Sequence, residues 1–184
     1  MISGTFGIKA QSFQQGQKDI NLGLGLGNTF VGSGYTSTFP PISVAIEYGV
    51  TDAISVGGFV AFTGAKSTYN YQDFYNGNYY NYTDTYTWTY YIVGVRGAYH
   101  FAQFISNDKV DLYAGLMLGD EMVTNTYSTT DPNSSHVVNS SQTAGGFIWS
   151  GFVGGRYRFN DHIGIFGELG YGISNLNIGL NLKF

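Results

Sequence analysis

The chain has 184 residues, of which 11% are charged, 17% are aromatic and 27 are glycine, with a formal net charge of −4. About a quarter of an ordinary soluble domain is charged, so these residues are too few to cover a soluble exterior. The acidic balance argues against a nucleic-acid partner, the lack of Cys excludes disulfides and thiolate chemistry, and no apolar run approaches the roughly 20 residues of a membrane-spanning helix.

The first segment of the chain differs from the rest in composition. Residues 1–10, MISGTFGIKA, are small and apolar, and the polar stretch QSFQQGQKD follows them. This pattern fits the end of a secretory signal peptide cleaved after Ala10, with its charged start missing. The alternative is an unstructured N-terminal segment. In either case we expect residues 1–17 to lie outside the fold and residues 18–184 to form one domain.

Strict alternation of apolar residues with polar or small ones begins at residue 20 and returns in seven later segments. Alternation with period two predicts β-strands that have one apolar face. The eight predicted strands lie within residues 20–30, 41–50, 54–63, 90–101, 110–119, 147–159, 163–171 and 174–184.

The connections between the predicted strands alternate in length. Short ones fall near residues 49–53, 102–109 and 160–162, and long ones near residues 31–40, 64–85 and 120–145, with a tight fourth near residues 172–174. Tilted strands of about 9–11 residues cross a bilayer, and short turns at one end with longer loops at the other are typical of outer-membrane barrels. The sequence therefore predicts an all-β fold, an eight-stranded antiparallel up-and-down transmembrane β-barrel, with both termini on the periplasmic side.

The charged residues fall on one face of these strands. The apolar faces carry no charge except Asp120 at a loop end, as a lipid-facing surface requires. The opposite face holds a predicted lumen charge network of Glu47, Arg96, Arg156, Arg158 and Glu168. Register counted from residues 160–162 places Arg156 near Glu168. Side chains can just fill so narrow a barrel, so the favoured interpretation is a plug of salt bridges, and the alternative is a charge-selective pore.

A long segment, residues 66–91, holds nine of the sixteen tyrosines and is expected to be a loop. Tyrosine combines a flat apolar ring with a polar tip. Tyr75, Tyr79 and Tyr80 are therefore the candidate loop binding surface, with surface glycans as the candidate ligand. The tyrosines nearer the strands are expected to form the aromatic girdle at the membrane interface, and these are Tyr86, Tyr90 and Tyr91.

No pattern in the sequence carries catalytic chemistry. His100 and His162 fall near short turns, and His136 lies in the Ser/Thr/Asn-rich segment 124–143, which fits a solvated loop better than a nucleophile–base pair. Residues 119–121 with Asp131 lack the spacing of a recognised calcium loop. We therefore predict a protein that is not an enzyme and has no catalytic residues, metal or cofactor.

The sequence resembles the small outer-membrane β-barrel proteins of Gram-negative bacteria, the OmpA/OmpX-type class, and more closely the porin-like barrel proteins of Bacteroidetes. The residues that carry the resemblance are GGRYRFNDHIGIFGELGYGISNLNIGLNLKF at 154–184, GVRGAYHF at 94–101 and DLYAGLMLG at 111–119. It implies a bacterial outer-membrane location. It also implies that the last strand is a signal for the barrel-insertion machinery, carried by Ile178, Leu180, Leu182 and Phe184.

Function varies widely among proteins that share one fold. The favoured interpretation is a structural or interaction role, in membrane integrity, adhesion or as an accessory protein, exerted through extracellular loops. The expected partners are outer-membrane lipid and lipopolysaccharide, and further candidates are surface glycans or another outer-membrane protein. The alternatives are a narrow pore for ions or small solutes and a subunit of a larger outer-membrane complex.

Overall fold

Eight antiparallel strands close into a ring in the computed structural model, which describes residues 12–131 and 142–184. Each strand pairs with its neighbours in chain order, and β1 pairs with β8 to close the barrel. A 3₁₀ turn, Ala102–Phe104, follows β4. The strands are β1 Lys18–Asn28, β2 Thr36–Gly49, β3 Ile54–Tyr75, β4 Asn78–His100, β5 Val110–Thr129, β6 Gln142–Arg158, β7 Ile163–Gly170 and β8 Ser174–Lys183.

The predicted fold class, the all-β eight-stranded up-and-down barrel, is confirmed. The faces also follow the predicted alternation: Val95 and Leu116 are 64% and 61% exposed on the outer surface, whereas Arg96 and Met117 beside them are buried in the lumen. No helix among the described residues is long and apolar enough to cross a membrane.

The barrel has two unlike ends. The short-turn end holds the connections after β2, β4 and β6. It also holds the start of β1 and the end of β8, where Lys18 and Phe184 exchange backbone hydrogen bonds. The hairpin end holds the connections after β1, β3, β5 and β7. There β3 and β4 continue far past their neighbours, and the register runs without a break to Tyr75 opposite Asn78.

The expected loop at residues 64–85 is therefore wrong: most of it is strand. Its tip is a two-residue turn in which Asn76 and Gly77 have φ of 50° and 79°. Positive φ at both central positions belongs to the type I′ turn, whose twist matches that of a hairpin and which favours Asn-Gly. Alternating Tyr and Thr residues with this turn are a hairpin signal that the long-loop interpretation overlooked.

Two further expectations about connections differ from the structure. The connection expected near residues 31–40 is shorter, because β2 begins at Thr36. Pro40 and Pro41 lie inside this strand, where its register with β3 shifts between Ser37 and Ile42. Such irregularities leave backbone positions outside the ladder, which is where a residue without an N–H is tolerated. The Ser/Thr/Asn-rich segment begins as strand, since β5 continues to Thr129, and Pro132 and His136 lie outside the described residues.

The expectation that residues 1–17 lie outside the fold fails for the part that the structure describes. Ser12, Phe13 and Gln17 are buried, and Gly49 exchanges backbone hydrogen bonds with Gly16 and Gln17. A polar segment with one aromatic residue reads as disordered in sequence, but here it packs into the short-turn end of the barrel. Residues 1–11, which include the proposed signal-peptide remnant, lie outside the described residues.

Candidate functional site

The lumen contains a cluster of buried ion pairs close to the short-turn end. At its centre is Arg156, whose guanidinium donates to Glu47 and lies 3.4 Å from an Asp19 oxygen and 3.3 Å from an Asp111 oxygen. All four side chains are 0–1% exposed. A buried charge needs such opposite partners because an unpaired one is costly.

A second part of the cluster spans the lumen one layer closer to the hairpin end. Arg96 Nη2 donates to Glu168 Oε1 at 2.7 Å, and Arg96 Nε lies 2.8 Å from Glu47 Oε1. Glu47 therefore joins Arg96 to Arg156. Two aromatic rings complete this layer: Phe152 lies 4.0 Å from the Arg96 guanidinium and Tyr113 lies 4.5 Å from that of Arg156.

The structure brings all five predicted network residues to the lumen but changes one predicted pair. Arg156 lies opposite Phe166 in the β6–β7 register, and Glu168 lies opposite Gly154. Glu168 instead reaches Arg96 on β4 and accepts a hydrogen bond of 2.8 Å from the Tyr113 hydroxyl. Across a narrow lumen a non-adjacent strand is as close as a neighbour, so register arithmetic on one hairpin could not find this partner.

Sequence reasoning left two carboxylates, Asp19 and Asp111, out of this network. Asp19 lies 3.3–3.4 Å from both Arg158 and Arg156, and Asp111 binds Arg156 and His100. Asp19 shares the lumen face of β1 with Asn21, so its alternation with Ile20 was an available signal. The alternation of β5 also placed Asp111 on the charged face. Its partners could not be predicted, because they come together only when the barrel closes.

The short-turn end of the lumen is closed by the N-terminal segment. The Phe13 ring stacks on His100 with centroids 3.5 Å apart and planes 1° apart, and the Ser12 carbonyl accepts a hydrogen bond from Arg158. His100 is held from both sides, by Asp111 at 3.0 Å and the Ser55 hydroxyl at 2.9 Å. Gly49 permits this approach because a Cβ there would lie 2.6 Å from the Gln14 carbonyl oxygen.

The hairpin end of the lumen is filled by apolar side chains rather than charges. Ile92, Met117 and Phe152 are buried there in one cluster, and Phe30, Phe59 and Ile148 pack against it. A cavity of about 50 Å³ between this cluster and the Arg96–Glu168 pair has room for a few waters only. Salt bridges at one end and an apolar layer at the other leave a filled interior in the part of the barrel that the structure describes.

The three residues of the candidate loop binding surface do not share one face. Tyr75 and Tyr80 lie on the side of the hairpin that continues the lumen face, and Tyr79 lies on the other side, paired with Phe74. Period-two alternation separates Tyr79 from its sequence neighbour Tyr80. The expected girdle divides in the same way, because Tyr86 and Tyr90 face inward and Tyr91 alone faces outward.

The residues of the proposed C-terminal signal line up on the outer face of β8. Ile178, Leu180 and Phe184 are exposed and Leu182 is half-buried. Lys183, by contrast, lies on the lumen face beside Asp19. The strand that closes the ring against β1 thus has an apolar outer face.

The described residues contain no group of three or more His, Asp or Glu that could hold a metal ion. His100 is enclosed by Phe13, Asp111 and Ser55, and His162 lies exposed at the turn after β6.

The fold is similar to solved outer-membrane proteins, although no protein-family model and no curated protein matches the sequence. OprG from Pseudomonas aeruginosa matches with a TM-score of 0.60 and 12% identity, over 94% of this chain and 97% of that one. Ail, the attachment invasion locus protein of Yersinia pestis, matches with a TM-score of 0.53 over 92% and 99%. Its complex with the heparin analogue sucrose octasulfate is 13% identical, and a second Ail structure is 14% identical. At these identities the likeness shows the fold alone, a closed antiparallel barrel of the outer-membrane kind.

Proposed function

We propose that this protein is an integral barrel of the bacterial outer membrane, with a filled lumen and a non-enzymatic structural or interaction role exerted through its long hairpin. The observation that carries the proposal is the inversion of polarity relative to a soluble protein. Large apolar side chains such as Val95, Leu116 and Trp149 are more than 60% exposed, while Arg96, Arg156 and Glu47 are buried. Hydrocarbon has no hydrogen-bond partners, so a closed ring of strands with an apolar exterior is what a bilayer accepts.

The orientation follows from the two unlike ends. Outer-membrane barrels have short turns on the periplasmic side and longer connections outside the cell. The short-turn end, which holds the start of β1 and the end of β8, then faces the periplasm. The hairpin formed by β3 and β4 extends outside the cell. Lipid and lipopolysaccharide contact the apolar exterior, and the barrel-insertion machinery recognises β8 during assembly.

Single cysteines test this orientation cleanly because the chain has none of its own. Asn78→Cys places a thiol at the hairpin tip, and Asp161→Cys places one at the exposed turn between β6 and β7. In intact cells an impermeant maleimide should label the first variant only, and permeabilised cells should label both. Labelling of Asp161→Cys in intact cells, or of neither variant, would contradict the proposal.

The pore alternative is tested by conductance in planar bilayers. The Arg96–Glu168 pair crosses the lumen and the apolar cluster lies above it, so purified wild-type protein should insert without steady openings. A large porin inserted under the same conditions shows that the assay detects open channels. Steady, ion-selective openings of the wild-type protein would replace the filled-lumen proposal with a narrow pore.

The subunit alternative is supported by one feature of the exterior. A shallow depression on the outer face of β3, β4 and β5 is lined by Val56, Gly97 and Leu116 among other residues. Small residues let another apolar surface approach closely within a membrane. Co-purification of a defined outer-membrane partner in mild detergent, abolished by Gly97→Leu, would favour this alternative over an independent barrel.

A further inference from the structure

The β3–β4 hairpin reverses the polarity of the barrel faces. Within the barrel the outer face is apolar and the inner face is charged, but beyond Lys66 the inner face carries the tyrosines and the outer face carries mainly Thr, Asn and Gln. The register of β3 with β4 and of β4 with β5 is unbroken, so this assignment follows from the buried lumen residues by simple alternation. We call the inner-side tyrosines whose rings contact one another the inner tyrosine face, and they are Tyr69, Tyr71, Tyr80, Tyr82, Tyr86 and Tyr127.

The rings of the inner tyrosine face contact one another across three strands. Tyr86 lies 4.9 Å from Tyr127 on β5 and 6.2 Å from Tyr69 on β3, measured between ring centroids. Closer to the tip, Tyr82 lies 5.6 Å from Tyr71 and 6.4 Å from Tyr80. These distances are those of interacting aromatic pairs, so the rings form two adjoining groups on one side of the sheet.

Much of this aromatic surface remains open to solvent. Tyr69 is 59% exposed, and Tyr71 and Tyr80 are 40% and 42% exposed. Rings on a rigid sheet lose little conformational entropy when they bind, which is why tyrosine is favoured at recognition surfaces. These exposed rings lie on one side of the hairpin and beyond the lipid-facing part of the barrel. They therefore form a surface suited to binding a ligand.

Two buried acceptor atoms lie within the same surface. Asp84 Oδ1 and Asn125 Oδ1 have no hydrogen-bond partner in the part of the chain that the structure describes, although the Tyr127 hydroxyl is hydrogen-bonded to the Asp84 carboxylate. Asp84 lies between Tyr82 and Tyr86 on β4, and Asn125 lies two residues from Tyr127 on β5. Buried acceptors without partners are uncommon in proteins, and a ligand that donates hydrogen bonds would satisfy both when the neighbouring tyrosine rings move aside on binding.

The charge of the surface restricts the ligand further. The inner side of the hairpin carries Asp73 and Asp84 and no cation, since Lys66 lies on the outer side. Local desolvation and then the Asp84 carboxylate raise the pKa of Tyr71, so this phenol stays a neutral hydrogen-bond donor. A carboxylated or sulfated ligand would be repelled by these carboxylates.

We propose that the inner tyrosine face binds an uncharged glycan. A pyranose ring offers an apolar C–H face to a tyrosine ring and hydroxyl donors around its rim, which matches open rings combined with unpaired acceptors. Tyr69, Tyr71 and Tyr80 stack on successive sugar units, and sugar hydroxyls donate to Asp84 Oδ1 and Asn125 Oδ1. This inference rests on the proposed function only in requiring that the hairpin lie outside the cell.

The test is direct titration of the full-length protein in nanodiscs with uncharged, carboxylated and sulfated oligosaccharides of matched length. We expect the uncharged series alone to bind. Replacing Tyr71 and Tyr80 together with Ser should weaken binding about tenfold or more, since two rings lose their stacking contact with the sugars. The matched control replaces Phe74 and Tyr79 on the other side of the same hairpin, and should change the affinity less than about twofold.

Two further measurements test the acceptor and the ring contacts separately. Asp84→Asn is nearly isosteric and should weaken binding severalfold by removing charge from an acceptor, without altering the rings. In the unmodified protein, saturation of the tyrosine ring protons should transfer to sugar C–H protons. Binding of acidic glycans only, equal losses in both double variants, or no binding of any uncharged glycan would overturn the inference. The cysteine labelling pattern is independent of these results and would still decide the orientation.

Discussion

The buried side chain of Arg156 shows how a single residue holds this barrel closed. It contacts Glu47, Asp19 and Asp111 at once, and Glu47 passes the connection on to Arg96. The three arginines and four carboxylates of the cluster lie on six strands, so the cluster joins strands that no backbone ladder connects. We infer that the network fixes the cross-section of the barrel as well as filling its lumen.

Removing the central cation should be strongly destabilising. Arg156→Met leaves the three carboxylates without their shared partner, and breaking a buried ion pair typically costs about 3–5 kcal/mol. Urea unfolding in lipid vesicles measures the change, with the exposed Lys66→Met as a charge-matched control that should shift stability by less than about 0.5 kcal/mol. A loss below about 1 kcal/mol for Arg156→Met would mean that the cluster does not stabilise the barrel.

On the outer face of the barrel, by contrast, it is the introduction of a charged side chain that should be destabilising. Leu116→Arg places a charge on the exposed apolar surface of β5, and such a substitution near the bilayer midplane costs about 2–4 kcal/mol. Ser128→Arg on the same face of the same strand lies twelve positions further along, beyond the apolar belt, and should be nearly neutral. Refolding into vesicles of defined composition compares the two. Equal tolerance of both arginines would show that Leu116 does not face lipid.

At the scale of the element, β8 combines two roles that can be separated. Its backbone closes the ring against β1, with Phe184 and Lys18 exchanging hydrogen bonds of 2.9 and 3.3 Å. Its outer side chains form the proposed assembly signal. A substitution that keeps the backbone and removes only the terminal ring therefore tests the signal alone.

Phe184→Ala should lower the amount of barrel assembled in cells much more than it lowers stability after refolding in detergent. The exposed ring contributes little to packing, so a large effect in cells has to come from recognition. Tyr171→Ala is the matched control, because Tyr171 is an outward aromatic of equal exposure, 69% against 68%, at the hairpin end. Parallel losses for both variants, or equal losses of Phe184→Ala in both assays, would argue against a signal at this position.

The whole molecule is closed at the short-turn end by a segment outside the eight strands. Phe13 is fully buried against His100, and the backbone of residues 16 and 17 pairs with Gly49. The interior thus consists of an N-terminal closure, a charged cluster and an apolar layer in succession. Each part of this series excludes solvent from the next.

Phe13→Ala should destabilise the whole barrel rather than loosen one end. Truncating a buried phenylalanine typically costs about 3–5 kcal/mol, and the loss also admits water to the His100–Asp111 pair. Thermal unfolding in detergent measures the effect, and the exposed side chain of the neighbouring Gln14 provides the control in Gln14→Ala. An unchanged melting temperature for Phe13→Ala would mean that residues 12–17 are an appendage, as the sequence suggested.

The amino-acid sequence by itself determined which residues face outward and which face inward. Period-two alternation is a local property, and lipid tolerates so little charge that Val95, Leu116 and Arg96 could be assigned to their faces without a structure. The number of strands was predicted from the number of alternating segments, and the short-turn end from the lengths of the connections between them. Only the tertiary structure decided which side chains meet. Arg96 pairs with Glu168 and Phe13 stacks on His100 because a narrow closed ring brings distant strands within reach, and the inner tyrosine face exists because β3, β4 and β5 continue in register beyond the barrel.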